Sequence, residues 1–102
     1  MKKADSTNKS IDSQPENQLT ALPNIGNVLA DRLTEVDIKT IKELKTLGSE
    51  KAFIRLQVID NGACINELYA LEGAIQGIRW HHLDERRKYE LKIFYQQTRL
   101  HK

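Results

Sequence analysis

A short loop near the start of the chain, residues 22–26 (LPNIG), has residue types suited to binding a phosphate. Pro23 presets φ at the second position of a predicted type II turn, and Asn24 tolerates the positive φ that the third position requires. Gly26 has no Cβ, so a phosphate or another backbone can approach it closely. The next helix is predicted to begin here, and its unpaired first amides and dipole favour an anion. The alternative is a tight corner between two packed helices.

No pattern of catalytic or metal-ligating residues accompanies this loop. The sequence lacks a nucleophile elbow, a P-loop and an HExxH pair. Cys64 falls on an apolar stripe, where we expect a buried, inert thiol. His81 and His82 are adjacent, so on a helix they point about 100° apart and cannot share a metal as residues four apart can. We therefore predict a protein that is not an enzyme and has no catalytic residues, metal site or cofactor.

The segments that must position this loop have helical patterns, and none alternates apolar and polar residues as a strand does. We predict an all-α fold, a compact bundle of five to six helices. The predicted helices cover about residues 17–22, 26–36, 40–48, 49–59, 64–80 and 84–98. Thr40 and Glu43 form a predicted capping box, Gly48 is a predicted helix stop, and Ser49 is predicted to cap the fourth helix.

The last three predicted helices each have an apolar face directed at the core. Their predicted core residues are Phe53, Ile54, Leu56, Val58, Cys64, Leu68, Leu71, Ile75, Ile78, Leu91, Phe94 and Tyr95. The fifth helix also carries a stripe of small residues: Ala70, Gly73, Ala74 and Gly77. Because a glycine costs a helix about 1 kcal/mol against alanine, the stripe predicts a second helix packed closely on it; a docking surface for a partner is the alternative. Glu72, if semi-buried, needs Arg55 or Arg79 as an ion-pair partner.

Length and composition indicate one small domain in 102 residues. Residues 1–18 have only two large apolar side chains, so we predict a disordered polar tail, followed by a helical domain at residues 19–100. The tail does not have the pattern of a signal peptide, and no apolar run reaches transmembrane length. A single cysteine excludes an internal disulfide and favours a reducing, cytoplasmic location.

Charge is unevenly distributed along the chain. The net charge of +2 is too small to indicate nucleic acid by itself, but residues 79–102 carry seven basic and three acidic side chains. Such a basic end is either an electrostatic footprint for an acidic partner or a solvated helix face.

The predicted short helix, the Pro/Gly turn and the following helix together resemble the helix-hairpin-helix motif. In that family the hairpin amides and a nearby cation hold a DNA backbone phosphate without reading sequence, although such hairpins also serve as structural corners or protein contacts. The resemblance implies a DNA contact at Pro23, Asn24, Ile25, Gly26, Asn27, Arg32, Lys39 and Lys42. The chain departs from the motif at Asn24, where DNA-binding members usually have Gly, and at residues 27–28, where they often have Lys or Arg.

A second resemblance covers about residues 19–94. The segments LPNIG, LGSEKAF, LYALEGAI and GIRWH occur in the order found in the C-terminal domain of the TfoX/Sxy competence regulators, which the chain resembles. This resemblance implies an all-helical domain and a link to DNA uptake and its gene regulation in bacteria. Full-length regulators carry a separate N-terminal domain, so we expect a stand-alone form of one half.

Two functional hypotheses follow. The first is a small, non-enzymatic regulatory protein that binds DNA weakly and without sequence preference through the hairpin, aided by the basic last helix. The second is a protein-interaction module, an adapter or homo-oligomer, whose small-residue stripe or last helix docks a regulatory protein or a second copy. Neither hypothesis involves a membrane.

Overall fold

The computed structural model describes residues 18–100, which form five α-helices and two short 3₁₀ helices, with no strand in that range. The elements in chain order are a 3₁₀ helix at Leu19–Ala21, α1 at Asn27–Glu35, α2 at Ile41–Leu47, α3 at Ser49–Ile59, α4 at Ile65–Gln76, a 3₁₀ helix at Trp80–His82 and α5 at Glu85–Leu100. The predicted all-α bundle of five to six helices is confirmed. Apart from Gln18, the predicted polar tail lies outside the described residues.

Local sequence signals explain both ends of α2. The Thr40 hydroxyl accepts a hydrogen bond from the Glu43 amide at 3.1 Å, and the Glu43 carboxylate accepts one from the Thr40 amide at 3.2 Å. This reciprocal pair is the predicted capping box, which satisfies two donors that the helix leaves free. The helix ends at Gly48, whose φ of 92° is readily adopted only by glycine. Both predictions are confirmed.

The prediction that Ser49 caps α3 is wrong. Gly48 occupies the cap position, and Ser49 is the first residue of the helix. The Ser49 hydroxyl instead donates a hydrogen bond of 2.6 Å to the carboxylate of Glu72 in α4. The Ser49 side chain therefore bonds to the buried carboxylate of Glu72 rather than to the first amides of its own helix.

The core face of α3 also differs from the prediction. The buried residues of this helix are Ser49, Ala52, Phe53, Leu56 and Gln57. Phe53 and Leu56 are core residues as predicted, but Ile54 is 45% exposed and Val58 is 81% exposed. These two lie one turn apart on the face that points away from the core, so their apolar character did not indicate burial.

Helix α4 lies between α3 and α5 and is shorter than predicted. It ends at Gln76 because Gly77 adopts the left-handed conformation, with φ of 80° and ψ of 24°. The Gly77 amide donates a hydrogen bond to the carbonyl of Ala74, and the Ile78 amide donates one to the carbonyl of Gly73. Cys64, predicted to be buried, is instead the exposed residue just before the helix. The chain after Gly77 therefore turns back along α4 rather than extending it.

The hydrophobic core is built from all five α-helices and the loops between them. Its largest fully buried side chains are Leu33, Ile38, Leu44, Phe53, Leu56, Leu68, Leu71 and Leu91. Phe94 and Tyr95 of α5 pack against this core, and the ring centroids of Phe53 and Tyr95 are 5.9 Å apart. Within residues 18–100, no helix combines the length and the apolarity needed to cross a bilayer.

Candidate nucleic-acid interface at the hairpin

The hairpin, residues 23–27, has the backbone that its sequence predicts. Pro23 and Asn24 form the turn, and Asn24 has a φ of 72°. Asparagine tolerates this left-handed conformation better than other residues with a side chain. Ile25 follows as a core residue, only 5% exposed, and Gly26 takes the cap position of α1. The turn is thus anchored on its inner side by one apolar side chain.

The Asn24 side chain ties the hairpin to the segment that follows α4. Its Nδ2 donates to the carbonyl of Ile78 at 2.9 Å and to that of Ala70 at 3.4 Å. Its Oδ1 accepts a hydrogen bond from the Trp80 amide at 3.2 Å. These contacts explain why the chain has asparagine where the DNA-binding motif usually has glycine, because a glycine would leave all three backbone groups without this partner.

Gly73 makes room for this contact. A Cβ at position 73 would lie 2.6 Å from Asn24 Nδ2, 2.8 Å from the Ile78 carbonyl oxygen and 3.1 Å from the Trp80 Cα. The prediction that a second helix packs on the small-residue stripe is therefore wrong at this position. The hairpin and the returning chain cover it, since a loop backbone can approach as closely as a helix can.

The outer side of the hairpin is open. Gly26 and Asn27 are exposed, and Val28 is 68% exposed. Among residues 18–100, no side chain caps α1 and a Cβ at Gly26 would meet nothing within 4 Å. The first turn of the helix has no acidic residue. The first intrahelical bond runs from the Ala30 amide to the Gly26 carbonyl. The amides that precede Ala30 therefore have no helical acceptor and remain at an exposed end with a partial positive charge.

Arg32, the first of the three predicted cations, is already ion-paired. Its Nη1 lies 2.9 Å from Asp60 Oδ2 and 3.3 Å from Glu67 Oε2. Burial raises the pKa of Glu67, Arg32 opposes that shift, and Asp60 adds to it. The charge of Arg32 is thus largely compensated by carboxylates from the α3–α4 loop and α4.

Lys39 and Lys42 lie beyond the other end of α1. This helix has nine residues, so at about 1.5 Å per residue it separates the hairpin from that end by about 13 Å. Lys39 Nζ is 3.9 Å from Asp37 Oδ1. Lys42 lines an open cavity of about 700 Å³ beside α2 and α3, together with Lys51 and Arg55. The structure therefore does not gather the three predicted cations around the hairpin amides.

A segment that the sequence analysis did not select, residues 78–82, lies beside the hairpin. Asn24 bonds to the carbonyl of Ile78 and to the amide of Trp80, so Arg79 falls between the two contacts. Arg79 is exposed, and within residues 18–100 it has no ion-pair partner. The predicted helix continued through residue 80, which would place Arg79 away from the hairpin. The sequence feature that indicates the earlier helix end is Gly77, whose left-handed conformation reverses the chain.

Glu72 has different partners from those predicted. Arg87 Nη2 lies 3.1 Å from its Oε1, and neither Arg55 nor Arg79 is involved. Ser49 bonds to the same oxygen, and Gln76 donates to Oε2 at 2.7 Å. Burial pushes the pKa of Glu72 upward, but the hydrogen bonds from Arg87, Ser49 and Gln76 outweigh burial, so its pKa lies below the usual value. The same ion pair raises the pKa of Arg87.

The candidate metal and thiol residues do not converge. Among the residues described, no group of three or more His, Cys, Asp or Glu side chains is placed to hold a metal ion. His81 stacks on Trp80, with ring centroids 4.1 Å apart, and His82 has no ring contact in this part of the chain. Cys64 is exposed at the start of α4, away from these rings in sequence.

Fold and site together define a small all-helical domain headed by an open hairpin. The chain belongs to the TfoX C-terminal domain family, whose model matches residues 15–95. The resemblance inferred from the sequence is thereby confirmed. No functionally curated protein was found to match the chain.

The crystal structures similar to this chain include two from Listeria monocytogenes. One, a triclinic form of an uncharacterized protein from Listeria monocytogenes, is 55% identical and has a TM-score of 0.79; the match covers 81% of this chain and 93% of that one. The other, a tetragonal form of a protein of unknown function from Listeria monocytogenes, is 56% identical with a TM-score of 0.75, covering 76% of this chain and 96% of that one.

Proposed function

We propose that this protein is a small, non-enzymatic regulator that binds the DNA backbone weakly and without sequence preference. The proposal includes a relation to the competence regulators whose C-terminal domain it resembles, and action in the cytoplasm. The hairpin at residues 23–27 is the proposed phosphate contact. Its basis is the open start of α1, where the amides that precede Ala30 lack helical acceptors and a Cβ at Gly26 would meet no other described residue within 4 Å.

The ion pairs around the hairpin decide which basic side chains are available to support the phosphate contact. Arg32 is paired with Asp60 and Glu67, so its contribution to DNA binding is small. Exposed Arg79, which lies beside the hairpin through the Asn24 contacts, is the better candidate. Lys39 and Lys42, beyond the other end of α1, would reach a phosphate farther along the duplex rather than the one at Gly26.

Fluorescence anisotropy with labelled duplex DNA, at about 20 mM and about 150 mM salt, tests the proposal. Gly26→Glu places a negative charge at the amides, and Gly26→Gln is the matched neutral control. Gly26 has an ordinary φ of −92° and free space at its Cβ, so both variants are expected to fold. We expect Gly26→Glu to weaken binding by about tenfold relative to Gly26→Gln, since one phosphate contact is lost.

The salt dependence is the second readout. Each phosphate contact made by Lys or Arg adds about 0.9 to the slope of log affinity against log salt. Arg79→Gln should therefore reduce the slope by about one, and Lys45→Gln, at an exposed position of α2, is a control for charge at another site. Absence of binding at low salt, or equal binding by the two Gly26 variants, would overturn the proposal.

A protein-interaction module is the second candidate, and a specific observation favours it. Helix α3 exposes Ile54 and Val58 on one face, and its last residue Ile59 is 45% exposed. The small-residue stripe cannot serve as the docking surface, because Asn24 and the returning chain cover Gly73. Light scattering of the protein and of Val58→Lys tests whether the chain associates with a second copy through this face. A monomeric mass for both at micromolar concentration would count against self-association through this face.

A further inference from the structure

Three aromatic rings form a stack on the surface beside the hairpin. Trp80 contacts both of the others: its centroid is 5.6 Å from that of Tyr69, with planes 20° apart, and 4.1 Å from that of His81, with planes 24° apart. We call these three residues the ring stack. Trp80 lies in the middle, Tyr69 of α4 stands at the inner end, and the exposed His81 stands at the outer end.

The ring stack is held in place by contacts to its backbone. The Trp80 amide donates to Asn24 Oδ1 at 3.2 Å, and Lys88 Nζ donates to the His81 carbonyl at 3.4 Å. The Lys88 ammonium also lies 5.9 Å from the centroid of the Trp80 ring. The His81 ring is therefore preorganised, and no folding of a loop is needed to present it.

The position of the ring stack relates it to the hairpin. The Trp80 amide bonds to the Asn24 side chain, so the segment that carries the exposed Arg79 and His81 adjoins the hairpin. Flat rings next to cations and phosphate-binding groups are what proteins use to bind single-stranded nucleic acid, because every base has a face that can stack. A closed duplex offers its backbone and base edges, but its internal base faces are covered by neighbouring pairs.

We propose that the outer end of the ring stack receives an unpaired nucleobase, so that this surface binds single-stranded nucleic acid in preference to a closed duplex. This inference rests on the proposed function, because the hairpin phosphate contact positions the strand beside His81. Stacking on His81 favours the single strand over the duplex, whereas the hairpin amides bind a phosphate of either one.

The test measures anisotropy with labelled oligothymidylate of about 12 nucleotides and with a duplex of the same length, for the protein, His81→Ala and His82→Ala. We expect the single strand to bind more tightly than the duplex. His81→Ala should lose about tenfold affinity for the single strand, the contribution of one stacked base, and little for the duplex. His82 is also exposed and adjacent but has no ring contact within residues 18–100, so His82→Ala should match the unmodified protein.

Two further readouts test whether a base stacks on the rings. Trp80 is the only tryptophan, so its fluorescence reports on the ring stack, and quenching by oligothymidylate is expected. His81→Phe retains a flat ring but lacks the imidazole nitrogens, and it should retain the preference for the single strand. If His81→Ala weakens single strand and duplex equally, or changes neither, the inference is overturned while the duplex proposal stands. If neither nucleic acid binds at low salt, both proposals fail.

Discussion

Two adjacent residues of α4 hold the rest of the fold by opposite means. Gly73 receives the hairpin through contacts without any charge: the Asn24 side chain and the carbonyl of Ile78 occupy the space that a Cβ would need. Glu72 receives α3 and α5 through charge, because Ser49 and Arg87 both bond to its carboxylate. The hairpin contact depends on shape and neutral hydrogen bonds, whereas the Glu72 contact depends on ionisation.

This difference has a consequence for the candidate interface. A contact made of neutral amides and a missing side chain changes little with pH or salt, so the hairpin stays in position across conditions. Salt dependence of DNA binding would then report on the DNA contact itself rather than on movement of the hairpin. The Glu72 contact, in contrast, weakens when the carboxylate is protonated.

Gly73→Ala should have the largest effect on stability. The added Cβ overlaps the Ile78 carbonyl oxygen and displaces the Asn24 amide, so overpacking and lost hydrogen bonds together should lower the free energy of unfolding by about 4 kcal/mol. Urea unfolding followed by circular dichroism measures it. Gly77→Ala is the control: a Cβ there would meet no atom of residues 18–100 within 4 Å, and its φ of 80° opposes alanine, so a loss of about 1 kcal/mol is expected. Equal losses in the two variants would contradict the packing argument.

Asn24→Ala comes next, with an expected loss of about 3 kcal/mol. Part of the loss comes from the hydrogen bonds to Ile78 and Trp80, and part from placing alanine at a φ of 72°. Asn24→Gly tolerates that φ, so it isolates the hydrogen-bond part and should lose about 2 kcal/mol. A glycine variant as stable as the unmodified protein would show that the Asn24 side chain does not fasten the hairpin.

Glu72→Gln tests the charged contact and should lower the free energy of unfolding by about 1.5 kcal/mol at pH 7. The folded pKa of Glu72 lies below its ordinary value of 4.5. Its stabilisation is therefore fully present above pH 4.5 and is lost as pH falls through the lower folded pKa. The stability difference between the protein and Glu72→Gln should shrink in that acidic range, while the effect of Gly73→Ala should not. A Glu72→Gln difference that stays constant from pH 7 to pH 3 would contradict the ionic account.

Gly26→Ala should have the smallest effect, within about 0.5 kcal/mol. Its Cβ meets open space and its φ is ordinary, so a small capping loss is offset by a less flexible unfolded chain. Thermal unfolding compared with Gly73→Ala measures the contrast between the open and the covered glycine. A loss of several kcal/mol at Gly26 would mean that the outer side of the hairpin is not open.

Local sequence signals predicted much of the fold. The Thr40–Glu43 capping box, the stop at Gly48 and the positive φ of Asn24 are each decided within a few residues, so they could be read correctly from the chain. The errors share one cause. The cap at Ser49 and the burial of Ile54 were predicted from neighbouring residues alone. Both predictions fail because the environments of these residues depend on helices distant in sequence.

The candidate site was only half predictable for the same reason. The hairpin amides follow from the turn at residues 23–26, but the choice of nearby cation does not. Arg32 is close in sequence, yet Asp60 and Glu67 compensate its charge. Arg79 is distant in sequence, yet the Asn24 contacts bring its segment to the hairpin.

The all-helical class, the ends of α2 and the backbone of the hairpin could be predicted from the amino-acid sequence, because capping, helical periodicity and φ preferences act over a few residues. The family could be predicted too, from the order of its sequence motifs. The packing of distant segments decided that Gly73 accepts the hairpin, that Arg87 pairs with Glu72, and that the Trp80 amide bonds to Asn24. Those contacts join residues 15 to 56 positions apart, and their energies depend on distance and burial in the folded chain.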